Sequence, residues 1–399
     1  MEVIEDFKNN LTFWNIWSSY AIYYFGKVNL SIVIPALLIT YKNLSLYNVG
    51  LISSGFFFAY AIGQFLHGQI SERFNPFVYI SLGLISSAIV NLLLGFTAGF
   101  FWLLFVLETF DGFFQSMGWS SCVRANSLIQ RPEKLEQSSV ILGISYQVGN
   151  SVAWLVSAFA VGAWGWQAGF FVAAGMLFIR GITLLLTKPK LKMESRLEPK
   201  EQIKRTLSKP IVLSGLSLCL LNMVRFGVIT WIPLYLFTSS NLAVEQMGNI
   251  GLKVCLIPIL GVVGTLFFYK DGKLDRDVKA IIFLVGLAIS FVIFPFVSGL
   301  LSLLVLLIGS FFLYGPHVFL VTTIPSRMAG KKVVAASTGF IDGMGYIGTV
   351  LIGIIVPFLI TTFNGWTSVF IFWAILAVIV AISIFFTYSK LDVQIRKEQ

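Results

Sequence analysis

Long apolar runs separated by short polar breaks recur from residue 13 to residue 388. A helix needs roughly 20 apolar residues to cross the hydrocarbon core of a bilayer, and these runs have that length. Backbone in that core must satisfy its own hydrogen bonds, so such runs become helices. The pattern predicts twelve spans, near 13–40, 47–70, 77–97, 100–127, 138–163, 165–187, 210–238, 246–268, 279–297, 299–327, 332–361 and 365–388. The predicted fold class is an all-α polytopic membrane protein. The longest polar stretch, 188–209, holds eight basic and three acidic residues. It separates a first six-helix bundle (1–187) from a second (210–399) and is read as the linker between them.

Composition agrees with that pattern. Hydrophobic residues make up 57% of the 399 and charged residues only 12%, about half the charged share of a soluble domain. The net charge of +10 reports topology and not a nucleic-acid partner, because the basic residues sit in short loops. Arg73, Arg131, Lys134, the 188–209 stretch, Lys270, Lys273, Arg276, Lys331 and Lys332 all follow even-numbered spans, and Lys42 is the main exception. Positive loops stay in the cytoplasm. Both termini are therefore expected there, in a multi-pass protein of the cell membrane. The acidic N-terminus, MEVIEDFKNN, does not read as a cleavable signal. Cys122, Cys219 and Cys255 lack metal-like spacing and read as small core residues. No nucleophile–base pair, metal cluster or cofactor motif stands out, so neither an enzyme nor a cofactor is expected.

The two halves repeat. Lys27 and Pro35 in the first span match Arg225 and Pro233 in the seventh, at an offset of 198. Gly143-x-x-Tyr146-x-x-Gly149 in the fifth matches Gly339-x-x-Asp342-x-x-Gly345 in the eleventh, at an offset of 196. Gly165-Trp166 with Phe170 matches Gly365-Trp366 with Phe370, at an offset of 200. Ordered matches at a near-constant offset indicate duplicated halves, as in the major facilitator architecture, where substrate binds at the midplane.

An ionisable residue at a span centre costs about 3 kcal/mol or more and is a functional candidate by default. Lys27 lies about 14 residues from either end of its predicted span, roughly 20 Å of helix, too far to snorkel easily. Arg225 is equally central. Facing halves would bring these two cations to one cavity, which an anionic solute or a buried acid must offset. Asp342, Glu108 and Asp111 are the acids available for charge balance or coupling, and Glu108 and Asp111 share a helix face. Trp119 and Trp231 are candidate cavity walls. Arg73 and Arg124, near span ends, are candidate gating residues. His67 and His317 read as polar packing residues, and Gly315-Pro316 is expected to bend the tenth span.

At these residues the chain resembles the organophosphate:phosphate antiporter family of the major facilitator superfamily. The likeness is carried by YYFGKVNLS (23–31), GFFQSMGWSSCVR (112–124), VRFGVITWIPLYL (224–236), YGP (314–316) and GFIDGMGYIG (339–348), which span both halves. It implies that Lys27 and Arg225 grip phosphate, with Tyr146 where the family often has histidine and Gln64 where some members have lysine. Lysine at 27 keeps the charge of the family's usual arginine but not its bidentate fork. GQISERFNP (68–76) resembles the superfamily's helix 2–3 loop motif, read as a conformational latch. The implied activity is exchange of an organic phosphate for inorganic phosphate, by a protein working as a monomer. A proton-coupled symporter of organic carboxylates such as sugar acids is the alternative. An exporter of amphipathic compounds and a transporter-like sensor are further rivals.

Overall fold

The computed structural model describes residues 11–97, 100–189, 203–204, 206–270, 274–324, 333–363 and 365–388. Most of the 188–209 stretch read as a linker, together with Lys273, Lys331 and Lys332, lies outside the described residues. In chain order the helices are α1 (Leu11–Thr40), α2 (Leu46–Ser71), α3 (Pro76–Leu94), α4 (Phe101–Gln115), α5 (Gly118–Ile129), α6 (Pro132–Trp164) and α7 (Gln167–Thr187). The second half continues with α8 (Lys209–Ser239), α9 (Met247–Val254), α10 (Leu256–Tyr269), α11 (Arg276–Ile293), α12 (Gly299–Val318), α13 (Val334–Thr362) and α14 (Trp366–Tyr388).

Eleven helices among the described residues are long and apolar enough to cross a membrane. The remaining predicted span, the fourth, is present but divided: Ser116 and Met117 interrupt it between α4 and α5. The tenth span is also irregular. Pro316 sits inside α12, and a π-helical turn, Phe319–Thr323, follows at once. Proline withdraws one backbone donor, and the ladder recovers with a wider turn. The two irregularities lie about 200 residues apart, the offset of the sequence repeat. Interrupted helices at corresponding positions of two halves point to a binding site.

Local chemistry sets the helix starts. Ser45 and Asn48 form a capping box at α2, and the Asn75 side chain caps α3. Pro76, Pro132 and Pro210 occupy first-turn positions, where proline's missing N–H costs nothing. Gly165 and Gly365 have φ of +82° and +143°, so the repeated Gly-Trp turns need glycine for their backbone. Their tryptophans then pack alike: Trp166 on Tyr41 and Phe170, Trp366 on Tyr235.

Within the first half, α1 packs on α6, α2 on α4, and α3 on α7; within the second, α8 packs on α13, α10 on α12, and α11 on α14. The pairing is the same after a shift of six spans, which gives two pseudo-symmetric six-helix bundles. Between bundles, α2 runs along α13, and α6 runs along α9 and α10. One end of the molecule carries the basic loops; the other is the far end.

The α2–α13 seam closes at both ends. At the far end Gly50 and Gly353 bring their backbones together, Tyr47 Oη bonds Thr361 Oγ1 (3.1 Å) and Ser54 Oγ donates to the Val350 carbonyl (2.7 Å). At the basic end Gly68 meets Gly339. A side chain at 353 would strike the Gly50 carbonyl and Ser54, and overpacking of this kind costs about 1–3 kcal/mol. Gly353→Leu is therefore expected to hold the far end open. Labelling of a cysteine at position 54 by a membrane-impermeant maleimide should rise about tenfold or more; unchanged labelling would contradict the closed seam.

Candidate substrate-binding site

Lys27 comes from the middle of α1 and Arg225 from the middle of α8, the symmetry-related helices. Both are buried, at 6% and 2% exposure. Lys27 Nζ donates to Tyr60 Oη (2.7 Å) on α2 and Tyr346 Oη (3.1 Å) on α13. It also stands 3.9 Å from the Tyr60 ring centre and 5.2 Å from that of Tyr24. Arg225 Nη2 donates to Tyr24 Oη (2.8 Å). Its guanidinium lies 4.7 Å from the Tyr146 ring centre, 4.5 Å from Phe226 and 5.5 Å from Tyr314. Tyr24 thus touches both cations, Lys27 with its ring and Arg225 with its hydroxyl. Its ring stacks on Tyr146 at 6.0 Å.

Aromatic faces and neutral hydroxyls lower the cost of burying these charges, but they do not cancel them. Among the described residues the close ion pairs are Arg124 with Glu72 and Arg276 with Glu136, and neither includes Lys27 or Arg225. Arg225 Nε is buried with no hydrogen-bond partner. Asp342, one turn before Tyr346 on α13, is 4% exposed, and its Oδ2 likewise has no partner. Gln64, one turn after Tyr60 on α2, is fully buried with both amide atoms unpartnered. Buried polar atoms normally find partners. A cluster that lacks them, around two cations, has the donors and the positive charge to hold an anion rich in acceptors.

The other sequence candidates divide. Tyr146 and Trp119 join the cluster: Trp119 packs on Tyr20 (4.5 Å) and edge-on to Tyr146 (6.1 Å). Trp231 is fully buried with its indole nitrogen unpartnered, but among the described residues no ring contact ties it to the cluster. Asp111 is bound within the first bundle, where it accepts from Ser87 Oγ and from Asn91 Nδ2 (2.9 Å). Asn91 in turn accepts from Asn29 Nδ2 of α1 (2.7 Å), and Gln115 Nε2 donates to Ser87 (2.8 Å). Glu108, a turn earlier, is buried with Oε1 unpartnered. This network ties α1, α3 and α4 together. Asp111→Ala strands two buried donors, so it should cost about 2–3 kcal/mol, seen as faster thermal inactivation in detergent. Unchanged thermal stability would contradict a structural role for the network.

Arg124 is at the basic end, where it pairs with Glu72 at 2.8 Å, both groups buried. Glu72 Oε1 also accepts from the backbone N–H groups of Ala335 (2.8 Å) and Ala336 (3.4 Å), in the first turn of α13. The carboxylate thus joins the first bundle to a helix N-terminus of the second, where the helix dipole favours negative charge. Arg73, its neighbour, lines a cavity of about 340 Å³ bounded by Gln69, Phe340 and Ile203. Besides Glu72, sequence reasoning missed every member of the tyrosine shell except Tyr146. The signal was helical spacing: Tyr20 and Tyr24 precede Lys27 by seven and three residues, and Tyr346 follows Asp342 by four.

Two bundles of the same helix pairing with charged residues buried between them are the build of a membrane carrier, and the chain belongs to the Major Facilitator Superfamily, whose profile matches residues 16–353. The membrane sensor protein UhpC of Escherichia coli is 28% identical over 400 residues, covering 92% of this chain and 89% of that protein. The glycerol-3-phosphate transporter of Bacillus subtilis is 25% identical, covering 90% of this chain and 87% of that protein. The glucose-6-phosphate exchanger SLC37A2 of Mus musculus is 24% identical, covering 81% and 75%. The resemblance to the organophosphate:phosphate antiporter family is thereby borne out over nearly the whole chain. A crystal structure of a bacterial homologue of the human lysosomal transporter Spinster, inward-facing and unoccupied, matches with a TM-score of 0.67 over 95% of both chains. At 12% identity that likeness shows the fold alone.

Proposed function

We propose that the protein carries an organic phosphate across the cell membrane by alternating access and exchanges it for inorganic phosphate. The observation that carries this reading is the pair Lys27 and Arg225, buried between the bundles with only neutral groups hydrogen-bonded to them. The similarity to the glycerol-3-phosphate transporter and to the glucose-6-phosphate exchanger supports the same substrate class. A doubly negative phosphate neutralises both cations and lets the bundles, divided at 188–209, close around it. Closing without the anion leaves like charges in a low-dielectric space. The loaded carrier therefore rocks between its two open forms more readily than the empty one, which makes transport an exchange. In this reading both termini face the cytoplasm, Tyr146, Gln64 and Trp119 shape the site, and Asp342 sets the residual charge.

The test is uptake of labelled phosphate by liposomes that contain the purified protein and internal unlabelled phosphate, with no pH gradient. Saturable uptake that requires internal phosphate is expected. Sugar-acid uptake driven only by a proton gradient would replace this reading with the carboxylate symporter. A second reading is favoured by the similarity to UhpC: a receptor that binds the anion without moving it. Phosphate binding with no flux would establish it.

A further inference from the structure

We propose that His317 is a third anion ligand of this site, donating a hydrogen bond from Nε2 to the phosphoryl group. The proposal rests on the phosphate reading above and extends it to a residue in the tenth span. His317 is 3% exposed. Its Nδ1 shares a hydrogen bond with Tyr146 Oη at 2.7 Å, across the boundary between the bundles. Tyr146 is the residue whose ring carries the Arg225 guanidinium. The other ring nitrogen, Nε2, is buried and has no partner.

Protonation logic makes that nitrogen a donor. A neutral imidazole has one N–H and one acceptor. The Tyr146 hydroxyl can donate to Nδ1, which places the proton on Nε2. A buried N–H left unpaired costs about 1–3 kcal/mol, so a structural histidine would find an acceptor. Arg225, whose guanidinium lies over the Tyr146 ring, and Lys27 are donors only. Asp342 can offset one of the two cations, and the unpartnered Arg225 Nε and His317 Nε2 are left for one acceptor-rich, negative ligand. The backbone at this point supports the assignment: His317 follows Pro316 and stands two residues before the π turn. Such turns recur at functional sites, and this one matches the break in the fourth span.

Asparagine and glutamine separate the two nitrogens. The Asn amide reaches about as far as Nδ1 and the Gln amide about as far as Nε2. Inorganic phosphate is titrated into the purified protein in nanodiscs. His317→Asn, which keeps the tie to Tyr146, is expected to weaken binding about 10- to 100-fold, the value of a hydrogen bond to a charged group. His317→Gln is expected to stay within about threefold, a few tenths of that bond. A packing role predicts the reverse order, and that order, or wild-type affinity in both, overturns the proposal. A readout without substitution comes from nitrogen-15-labelled histidine, since the chain has only two. The His317 signals in the wild type should show the proton on Nε2 and shift when phosphate is added. An Nδ1–H tautomer, or no shift on saturation, overturns the assignment while leaving the phosphate site intact. A wild type that binds no phosphate at all removes the transport reading itself.

Discussion

Replacing Arg225 by alanine is expected to abolish phosphate binding and exchange while leaving the protein folded. The guanidinium is placed to give a dianion two charge-assisted hydrogen bonds, each worth about 1.5–3 kcal/mol. Their loss weakens binding by about 10²- to 10⁴-fold, at 1.36 kcal/mol per tenfold. The free protein pays little, because its Arg225 makes one hydrogen bond to a side chain, to Tyr24, and its charge is costly to bury. Thermal stability without ligand should therefore hold or rise. Arg225→Lys keeps the charge without the planar fork, so its affinity should fall between the two. Paired binding titrations and melting curves check this. A variant that loses stability in step with binding would mark Arg225 as structural.

The second large effect belongs to the basic-end latch. Glu72 holds Arg124 and the first turn of α13 at once. Glu72→Gln removes the carboxylate paired with the buried Arg124, and breaking a buried pair from one side costs about 3–5 kcal/mol. That cost falls only on conformations in which the basic end is closed. The ratio of closed to open forms should drop about 100-fold or more, using 1.36 kcal/mol per tenfold. Spin labels at Gln69 on α2 and Phe340 on α13 should report a longer distance in the variant, and net exchange should slow. Arg124→Gln alone should shift the population the same way, and restoring the pair by swapping the two residues should recover only part of it, because arginine at 72 repels the positive end of α13. An unchanged distance distribution in Glu72→Gln would contradict the latch.

The fold was legible in the chain because its rule is severe: apolar runs of membrane-spanning length leave the backbone one solution. The predicted 210–238 run became Lys209–Ser239, and 332–361 became Val334–Thr362. Glycine-tryptophan repeats before the sixth and twelfth spans marked real positive-φ turns. The break at Ser116 and Met117 was not legible, since no proline marks it; Pro316, by contrast, announced the disturbance that follows it.

The site was legible to the extent that it contradicts its surroundings. Lys27 and Arg225 are charges amid apolar helix, and each was visible for that reason. Apart from Tyr146, which the family resemblance picked out, the tyrosines were not, because a chain with 13 tyrosines and 38 phenylalanines gives an aromatic residue no contrast of its own. Tyr60 and Tyr346 gain meaning only when α2 and α13 bring them to Lys27 from positions 286 residues apart. Glu72 was passed over for Arg73 because the two adjacent charges look equivalent in a loop, and only packing shows which one turns inward. His317 was read as a packing residue for want of any sequence sign that one nitrogen would be left unpaired.

The central claim is that Lys27 and Arg225 together hold a phosphate. The most direct measurement is the shift in melting temperature of the purified protein on addition of inorganic phosphate, compared with gluconate, in wild type, Lys27→Gln and Arg225→Gln. A ligand that binds only the folded state stabilises it by mass action. The account predicts a saturable rise with phosphate in the wild type, little with gluconate, and none in either variant. A rise of equal size in the variants, or one with gluconate and not with phosphate, would contradict it.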